Sequence, residues 1–159
     1  MLIAIYIAIP AYIANSLAVV FKGGPPIDCG RRFIDGERIF GANKTIRGFV
    51  FGLICGFLAT IVEGFLLGSG LLLLGVLASL GALLGDLFGA FIKRRLRLEP
   101  GAPFPLLDQL DFIFGALFVS YPISRATLGA VIILVIFTPP IHLLANLIAY
   151  RLGAKDNWW

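Results

Sequence analysis

Long apolar runs dominate the chain, and polar residues gather in the segments between them. A helix needs roughly 20 residues to cross a hydrocarbon core of about 30 Å, and five runs are long enough. They are predicted at Leu2–Phe21, Phe49–Leu67, Leu71–Ile92, Leu106–Ile123 and Leu128–Arg151. The pattern predicts an all-α, polytopic integral membrane protein with five transmembrane helices.

Composition agrees with this pattern. Hydrophobic residues make up 59% and charged residues 14% of the chain, whereas soluble domains have roughly 45–50% and about 25%. A length of 159 residues is too short for a soluble catalytic domain plus a membrane domain, so we expect residues 1–159 to form a single membrane-embedded domain. The first run has no positive n-region, so we expect it to remain as a transmembrane helix rather than a cleaved signal peptide.

The basic residues fall in alternate connecting segments. All 13 Lys and Arg residues except Arg125 lie in the first loop, the third loop or the C-terminal segment. The positive-inside rule then predicts an outside N-terminus, a cytoplasmic C-terminus and two cytoplasmic long loops, in the plasma membrane. Topogenic residues beside anionic headgroups explain the net charge of +4, so we expect the bilayer, and no nucleic acid, as the partner.

The first loop is the longest segment between apolar runs. It extends over Lys22–Arg47 and is rich in glycine and charge, and loops of that length are usually functional or disordered. Its apolar residues Phe33, Ile34, Ile39 and Phe40 predict an ordered loop that packs onto another part of the protein.

Candidate phosphate-binding residues lie where this loop meets the second run. They are Asn43, Lys44, Thr45 and Arg47. Basic side chains bind phosphate, and the N-terminus of a helix adds its own amide donors. The spacing differs from a Walker A loop, because Lys44 comes two positions late and no strand precedes it.

A carboxylate lies inside the third apolar run. Asp86 would cost roughly 2.5–3.5 kcal/mol near the centre of a bilayer, which indicates a functional reason for its presence. Lys93 follows two helical turns later, about 10 Å along the axis on nearly the same face. We therefore expect Lys93 and Arg94 to lie above Asp86 at the edge of the membrane.

Two further carboxylates open the fourth run. Asp108 and Asp111 are spaced i and i+3, so they share one helix face and repel each other unless a cation binds. Asp108 has an alternative interpretation as an acid that complements the helix N-terminus, an effect of about 0.3–1 kcal/mol. Together with Asp86 they suit a hard cation such as Mg²⁺, and the absence of a His/Cys cluster argues against zinc. Bases and acids together indicate a magnesium–nucleotide site.

Small residues and prolines predict two features of packing. Glycine recurs at every fourth position from Gly48 to Gly56 and from Gly81 to Gly89, a period that lets helix backbones approach closely. Pro139 and Pro140 each lack a backbone donor and predict a break in the fifth helix.

Two blocks of sequence contain most of these charged residues. The first comprises Pro26–Gly30 and Asp35–Gly48, and the second comprises Gly85–Arg95 and Pro105–Phe112. Both blocks strongly resemble the archaeal CDP-archaeol synthases. The resemblance covers essentially the whole chain. It implies transfer of CMP from CTP to unsaturated archaetidic acid, a phosphorylated isoprenoid ether lipid, giving the CDP-activated lipid and pyrophosphate with Mg²⁺ as cofactor.

On this interpretation the site residues divide into two groups. The catalytic residues are Asp86, Asp108, Asp111 and Lys93, with the three aspartates as metal ligands. The substrate-binding residues are Asn43, Lys44, Thr45, Arg47 and Arg94. The larger CDP-diacylglycerol synthases share a related signature, but Ala90 replaces their usual serine and Glu99-Pro100 replaces a Lys-Asp pair.

Two other classes of function compete with this one. A CDP-alcohol phosphotransferase needs Asp-Gly followed by Ala-Arg on a helix, whereas Asp35-Gly36 precedes Glu37-Arg38 in a loop. A small transporter or assembly subunit would use the buried acids as an ion path, and better-known transporters contain internal repeats that this sequence lacks. Only the cytidylyltransferase would release pyrophosphate from CTP.

Overall fold

The structure, a computed structural model, describes residues 2–67, 71–151 and 153. It contains the helices α1 (Leu2–Val20), α2 (Ile46–Leu67), α3 (Leu72–Arg95), α4 (Leu107–Ser124) and α5 (Leu128–Arg151). Within these ranges there is no β-strand, only two isolated β-bridges. The all-α prediction is confirmed, and each predicted helix end lies within three residues of the observed one. The connection predicted at Gly68–Gly70 and the basic Lys155 fall outside the described residues.

Several helices are suited to a bilayer. By length and composition α1, α2, α3 and the Leu128–Ile148 part of α5 could each cross a membrane. The chain is therefore a multi-pass membrane protein. Helix α4 is shorter, at 18 residues or about 27 Å, and its first turns carry Asp108 and Asp111. It packs against α3 more extensively than any other two described helices pack together.

The apolar core lies where α1, α3 and α4 meet. Tyr6 and Ile7 of α1 and Phe112 and Ile113 of α4 are almost completely buried there, next to alanines of α3. The other faces of the helices carry many exposed leucine, isoleucine and phenylalanine side chains. Such a surface matches a hydrocarbon solvent, in which helices associate through close packing and not by excluding water.

Both predicted glycine stripes lie at close helix contacts. A β-carbon on Gly52 would lie 2.6 Å from the carbonyl oxygen of Ala14 in α1. Gly81 and Gly85 of α3 face the backbone of α4 at Gly115 and Asp111, where a β-carbon would overlap backbone atoms. Close packing of α3 on α4 therefore places Asp86 beside the first turns of α4.

We expect Gly81→Ala to lower the thermal unfolding temperature of the detergent-purified protein. The added methyl group would meet the backbone of Gly115 and Ala116, which cannot rotate away, and overpacking of this kind typically costs about 1–3 kcal/mol. Gly129→Ala in α5 is the matched control, because a β-carbon there has no neighbour within 4 Å. Equal melting temperatures for the two variants would contradict the tight α3–α4 contact.

The predicted break in the fifth helix is wrong. Helix α5 continues through Pro139 and Pro140. In a membrane, neighbouring side chains can compensate for the hydrogen bonds that proline removes. The turn before the two prolines is tied to α1: the Thr138 hydroxyl donates to the carbonyl oxygen of Leu134, at 2.5 Å, and accepts a 2.8 Å hydrogen bond from the Tyr12 hydroxyl.

Candidate active site

One end of the bundle encloses a cavity of about 300 Å³. All five helices, the α1–α2 loop and the α3–α4 loop contribute to its lining. The polar residues of the lining are Asn15, Lys22, Asn43, Lys44, Thr45, Asp86, Lys93, Arg94, Asp108, Asp111, His142 and Asn146. The structure thus brings together eight of the nine predicted site residues, and only Arg47 lies elsewhere.

The two ends of the α1–α2 loop are joined by backbone hydrogen bonds. The Ile27 amide donates to the Lys44 carbonyl at 2.8 Å, and the Ile46 amide donates to the Pro25 carbonyl at 3.1 Å. These bonds fix the backbone of Lys44 directly before α2 begins. The expectation of an ordered first loop is confirmed.

A buried carboxylate organises the middle of the same loop. The Asp28 side chain has no exposed surface, and it accepts hydrogen bonds from the amides of Gly30, Phe40 and Gly41 and from the Arg38 guanidinium. Burial opposes the charge on Asp28, but these four donors outweigh it and lower the pKa of Asp28 to about 2. Asp28 thereby fixes the residues that lead into Asn43 and Lys44.

We expect Asp28→Asn to increase proteolytic cleavage of the loop by about tenfold or more. Hydrogen bonds to charged groups contribute about 1.5–3 kcal/mol, and cleavage follows the population of the opened loop when opening is fast. Because the folded pKa of Asp28 is lowered to about 2, its contribution is complete above the usual value of 3.8 and is lost as the pH falls through 2. Cys29 is an exposed neighbour of Asp28. The Cys29→Ser variant is the control, and its loop should be cleaved at the same rate as that of the parent protein. If Asp28→Asn did not increase cleavage of the loop at pH 5, the charged Asp28 carboxylate would not be what stabilises the loop.

An ion pair connects this loop to the membrane carboxylate. The Lys44 Nζ atom lies 2.6 Å from both carboxylate oxygens of Asp86. Burial of Lys44 favours its neutral form, but the Asp86 carboxylate, with smaller contributions from Asp111 and Asp108, outweighs this and raises the pKa of Lys44. Lys44 is therefore a fixed positive charge inside the cavity.

A second ion pair connects α3 to the start of α4. The Lys93 Nζ atom lies 2.9 Å from both carboxylate oxygens of Asp108. Sequence spacing predicted that Lys93 lies above Asp86 on the same helix. The lysine that contacts Asp86 is instead Lys44, which comes from the α1–α2 loop. Asp108 also accepts a 2.9 Å hydrogen bond from the Phe104 amide, so it contacts the turn before α4 as well as the cavity.

Asp111 differs from the other two aspartates. It makes no ion pair in the part of the chain that the structure describes, and its carboxylate packs against Gly89 of α3, where a β-carbon would overlap it. Within residues 2–67, 71–151 and 153, no three His, Cys, Asp or Glu side chains converge closely enough to hold a metal ion. Asp86, Asp108 and Asp111 all line the cavity, and carboxylate oxygens are the ligands that Mg²⁺ prefers, so their chemistry would suit that ion.

The remaining loop residues have different surroundings. Asn43 is exposed at the cavity. Thr45 is buried, and its hydroxyl accepts a 3.1 Å hydrogen bond from the Gly48 amide, so it caps α2. Arg47 does not line the cavity, and its guanidinium lies 5.8 Å from the centre of the Phe51 ring. Helix α2 begins at Ile46, so Arg47 lies on a different face of the helix from Thr45. Its role in binding phosphate stays a prediction.

Arg94 lies between the two long loops. It is only 8% exposed, and its guanidinium donates to the Glu99 carbonyl of the α3–α4 loop at 3.1 Å. Gly41 of the α1–α2 loop packs against its side chain. Arg94 therefore borders the cavity and contacts both loops, and its role in binding substrate stays a prediction.

Sequence reasoning missed polar residues that α1 and α5 contribute to the cavity. Asn15 of α1 is 8% exposed, and its Oδ1 has no hydrogen-bond partner among the described residues. His142 and Asn146 of α5 lie 3.3 Å apart between Nδ1 and Nδ2. A polar residue inside an apolar run is the signal that could have identified Asn15 and Asn146.

The chain is similar to known proteins over nearly its whole length. A family model described as CarS-like, CDP-archaeol synthase, matches residues 1–159. A CDP-archaeol synthase of Methanocaldococcus jannaschii is 43% identical over 98% of this chain and 96% of that protein. One from Pyrococcus horikoshii is 46% identical over 98% and 95%. A solved structure of an intramembrane enzyme for archaeal membrane lipids biosynthesis is 41% identical, with a TM-score of 0.85 over 90% of this chain and 92% of that one. The chain therefore belongs to the CDP-archaeol synthase family.

Proposed function

We propose that this protein transfers CMP from CTP to unsaturated archaetidic acid, giving CDP-archaeol and pyrophosphate. A phosphate oxygen of the lipid attacks the α-phosphorus of CTP, and the bond between the α-phosphorus and the bridging oxygen of pyrophosphate breaks. A phosphomonoester has a second pKa of about 6, so it is largely dianionic near neutral pH and needs no general base. The protein must then position the two substrates and neutralise charge.

The cavity supplies the residues for this task. Lys44 and Lys93 enter it from two different segments and are held there by ion pairs, which supports their proposed role in binding the triphosphate. Because each lysine contacts a carboxylate in the structure described above, phosphate must compete with Asp86 or Asp108 for it. Arg94 adds a third positive charge at the border of the cavity.

Mg²⁺ is the proposed cofactor, with Asp86, Asp108 and Asp111 as the residues that would hold it. When bound, it would neutralise phosphate charge and support departure of pyrophosphate. Among the described residues, Asp111 is the one of these three carboxylates without an ion pair, which supports its proposed role toward the metal.

The observation that carries this proposal is a cavity at one end of a membrane-embedded bundle that contains fixed lysines beside aspartates. The test is incubation of detergent-purified protein with Mg²⁺, CTP and archaetidic acid. We expect pyrophosphate in amounts equal to the CDP-lipid, and none when the lipid phosphate or CTP is omitted. Consumption of CTP without a CDP-lipid would overturn the proposal.

The other candidate functions gain no support from the geometry. The phosphotransferase pattern would place Asp35 in a metal site, but Asp35 lies outside the cavity lining and pairs with Arg95 at 2.6 Å. A transporter would need a polar path along the bundle. The cavity contains acids and bases at one end, and the core between α1, α3 and α4 is apolar.

For topology we propose five membrane spans, with the N-terminus outside and the cavity facing the cytoplasm of the plasma membrane. Helix α4 would cross with the others, since it packs along α3. Both long loops contribute to one cavity, so they lie at the same end of the bundle. The distribution of Lys and Arg then favours that end as the cytoplasmic one.

We expect an impermeant thiol reagent applied to intact cells to label a cysteine at Thr127 but not one at Glu37. Cys29 and Cys55 are first replaced by serine, because both are free thiols. Thr127 lies between α4 and α5, whereas Glu37 lies in the α1–α2 loop. After lysis both positions should react, and the reverse pattern in intact cells would place the cavity on the wrong side for CTP.

A further inference from the structure

The turn at the centre of the α1–α2 loop presents an isolated apolar side chain. Residues 31–38, called here the loop tip, fold back on themselves through an Arg32–Arg38 bridge and a 3.0 Å hydrogen bond from the Gly36 amide to the Phe33 carbonyl. Ile34 lies at the turn and is 94% exposed. Arg31 and Arg32 beside it are also exposed.

The loop tip is docked onto the last turn of α3. The Phe33 ring packs edge-on against Phe91, with 5.4 Å between centroids. The Arg95 guanidinium lies 4.9 Å from the Phe33 ring and 4.7 Å from the Phe91 ring. Its Nε atom is 2.6 Å from Asp35, and its Nη2 donates to the Arg38 carbonyl at 2.8 Å. These contacts fix the height of the tip along α3.

The tip covers the end of the face that α3 presents to lipid. Leu84, Phe88, Phe91 and Arg95 are spaced by four, three and four residues, so they share one helix face. Leu84 is 44% exposed and Phe88 is 63% exposed, in a helix suited to crossing a membrane. The 24 residues of α3 extend about 36 Å, so the turn that holds the tip reaches the headgroup region of a 30 Å core.

We propose that the loop tip is a membrane-surface anchor, in which Ile34 inserts among the lipids and Arg31 and Arg32 contact anionic headgroups. Insertion would remove the exposed Ile34 side chain from water, and the two arginines would be attracted to the negative surface of a bilayer. Because the Asp28–Arg38 ion pair connects the tip to the cavity backbone, insertion also steadies the segment that ends at Lys44. This inference is independent of the reaction proposed above.

The test places a fluorescent reporter at the tip. Ile34→Trp is made in a Trp158→Phe/Trp159→Phe background, so that it is the only tryptophan, and the protein is reconstituted in bilayers that contain anionic lipid. We expect its emission to be quenched by lipids brominated high in their acyl chains and protected from aqueous acrylamide. Phe88→Trp in the same background is the lipid-facing reference and should be quenched by the same lipids.

Adding Arg31→Gln and Arg32→Gln to the reporter protein tests the charge component. We expect bromolipid quenching to fall in anionic bilayers and to change little in neutral ones. Two results would overturn the anchor: acrylamide quenching of Ile34→Trp as strong as that of free tryptophan, or protection from acrylamide without bromolipid quenching. The second result would mean that protein, and not lipid, covers the tip.

Discussion

Replacing Asp86 or Asp111 by asparagine is expected to lower turnover of CTP by about 10²–10³, the range for losing one preorganised electrostatic group. Asparagine keeps the shape of the side chain and removes its charge. Asp86→Asn leaves Lys44 without its carboxylate partner, and Asp111→Asn removes the cavity aspartate that has no ion pair among the described residues. Release of pyrophosphate at saturating CTP is the measurement.

Asp108→Asn separates the two interpretations of that residue. Turnover should fall as severely as in the other variants if Asp108 acts within the site, and only mildly if its main contact is the Phe104 amide. Glu99 is an exposed carboxylate in the α3–α4 loop, and Glu99→Gln is the control, which should retain activity. Near-normal turnover of both Asp86→Asn and Asp111→Asn, in proteins that elute as folded, would exclude the proposed site.

Lys44→Met and Lys93→Met should each lower kcat/KM for CTP by at least about tenfold, equivalent to about 1.4 kcal/mol of transition-state stabilisation. Methionine keeps most of the apolar stem and deletes the charge. Because charge on the leaving pyrophosphate develops in the transition state, kcat should fall and KM should rise. Initial rates over a range of CTP concentrations distinguish the two effects.

Two arginines provide matched controls for the lysine variants. Arg47 lies three residues from Lys44 but outside the cavity lining, and Arg97 is an exposed residue beyond the end of α3. We expect Arg47→Met and Arg97→Met to change kcat/KM for CTP much less. Equal, mild effects in all four variants would mean that these basic residues only determine the orientation of the helices in the membrane and that the nucleotide binds elsewhere.

Much of the fold could be predicted because a bilayer imposes strict periodic and length rules. The apolar runs predicted five helices, and the spacing of Gly81 and Gly85 predicted a close helix contact, which the structure contains between α3 and α4. Long-range pairing could not be predicted. Lys44 and Asp86 are 42 positions apart, and helical spacing relates residues only within one helix, so Lys93 was the nearest visible partner for Asp86.

The errors have local physical causes. Helix α2 was predicted to begin at Phe49 but begins at Ile46, and this shift places Arg47 in the first turn, on a different face from Thr45. The proline pair was expected to break α5 because the rule for soluble helices was applied. The hydrogen bonds of Thr138 could not be predicted, since Tyr12 donates from the opposite end of the sequence.

The depth of Asp86 has a consequence for kinetics. This carboxylate lies nine residues before the end of α3, about 14 Å along the helix axis, which is within one leaflet of a core about 30 Å thick. A phosphorylated lipid would therefore approach the cavity through that leaflet, whereas CTP would enter from water. One substrate then arrives by diffusion in two dimensions and the other from a three-dimensional solution. The turnover rate will depend on the mole fraction of phosphorylated lipid in the bilayer, and diluting that lipid with inert lipid will slow the enzyme even when its bulk concentration is constant.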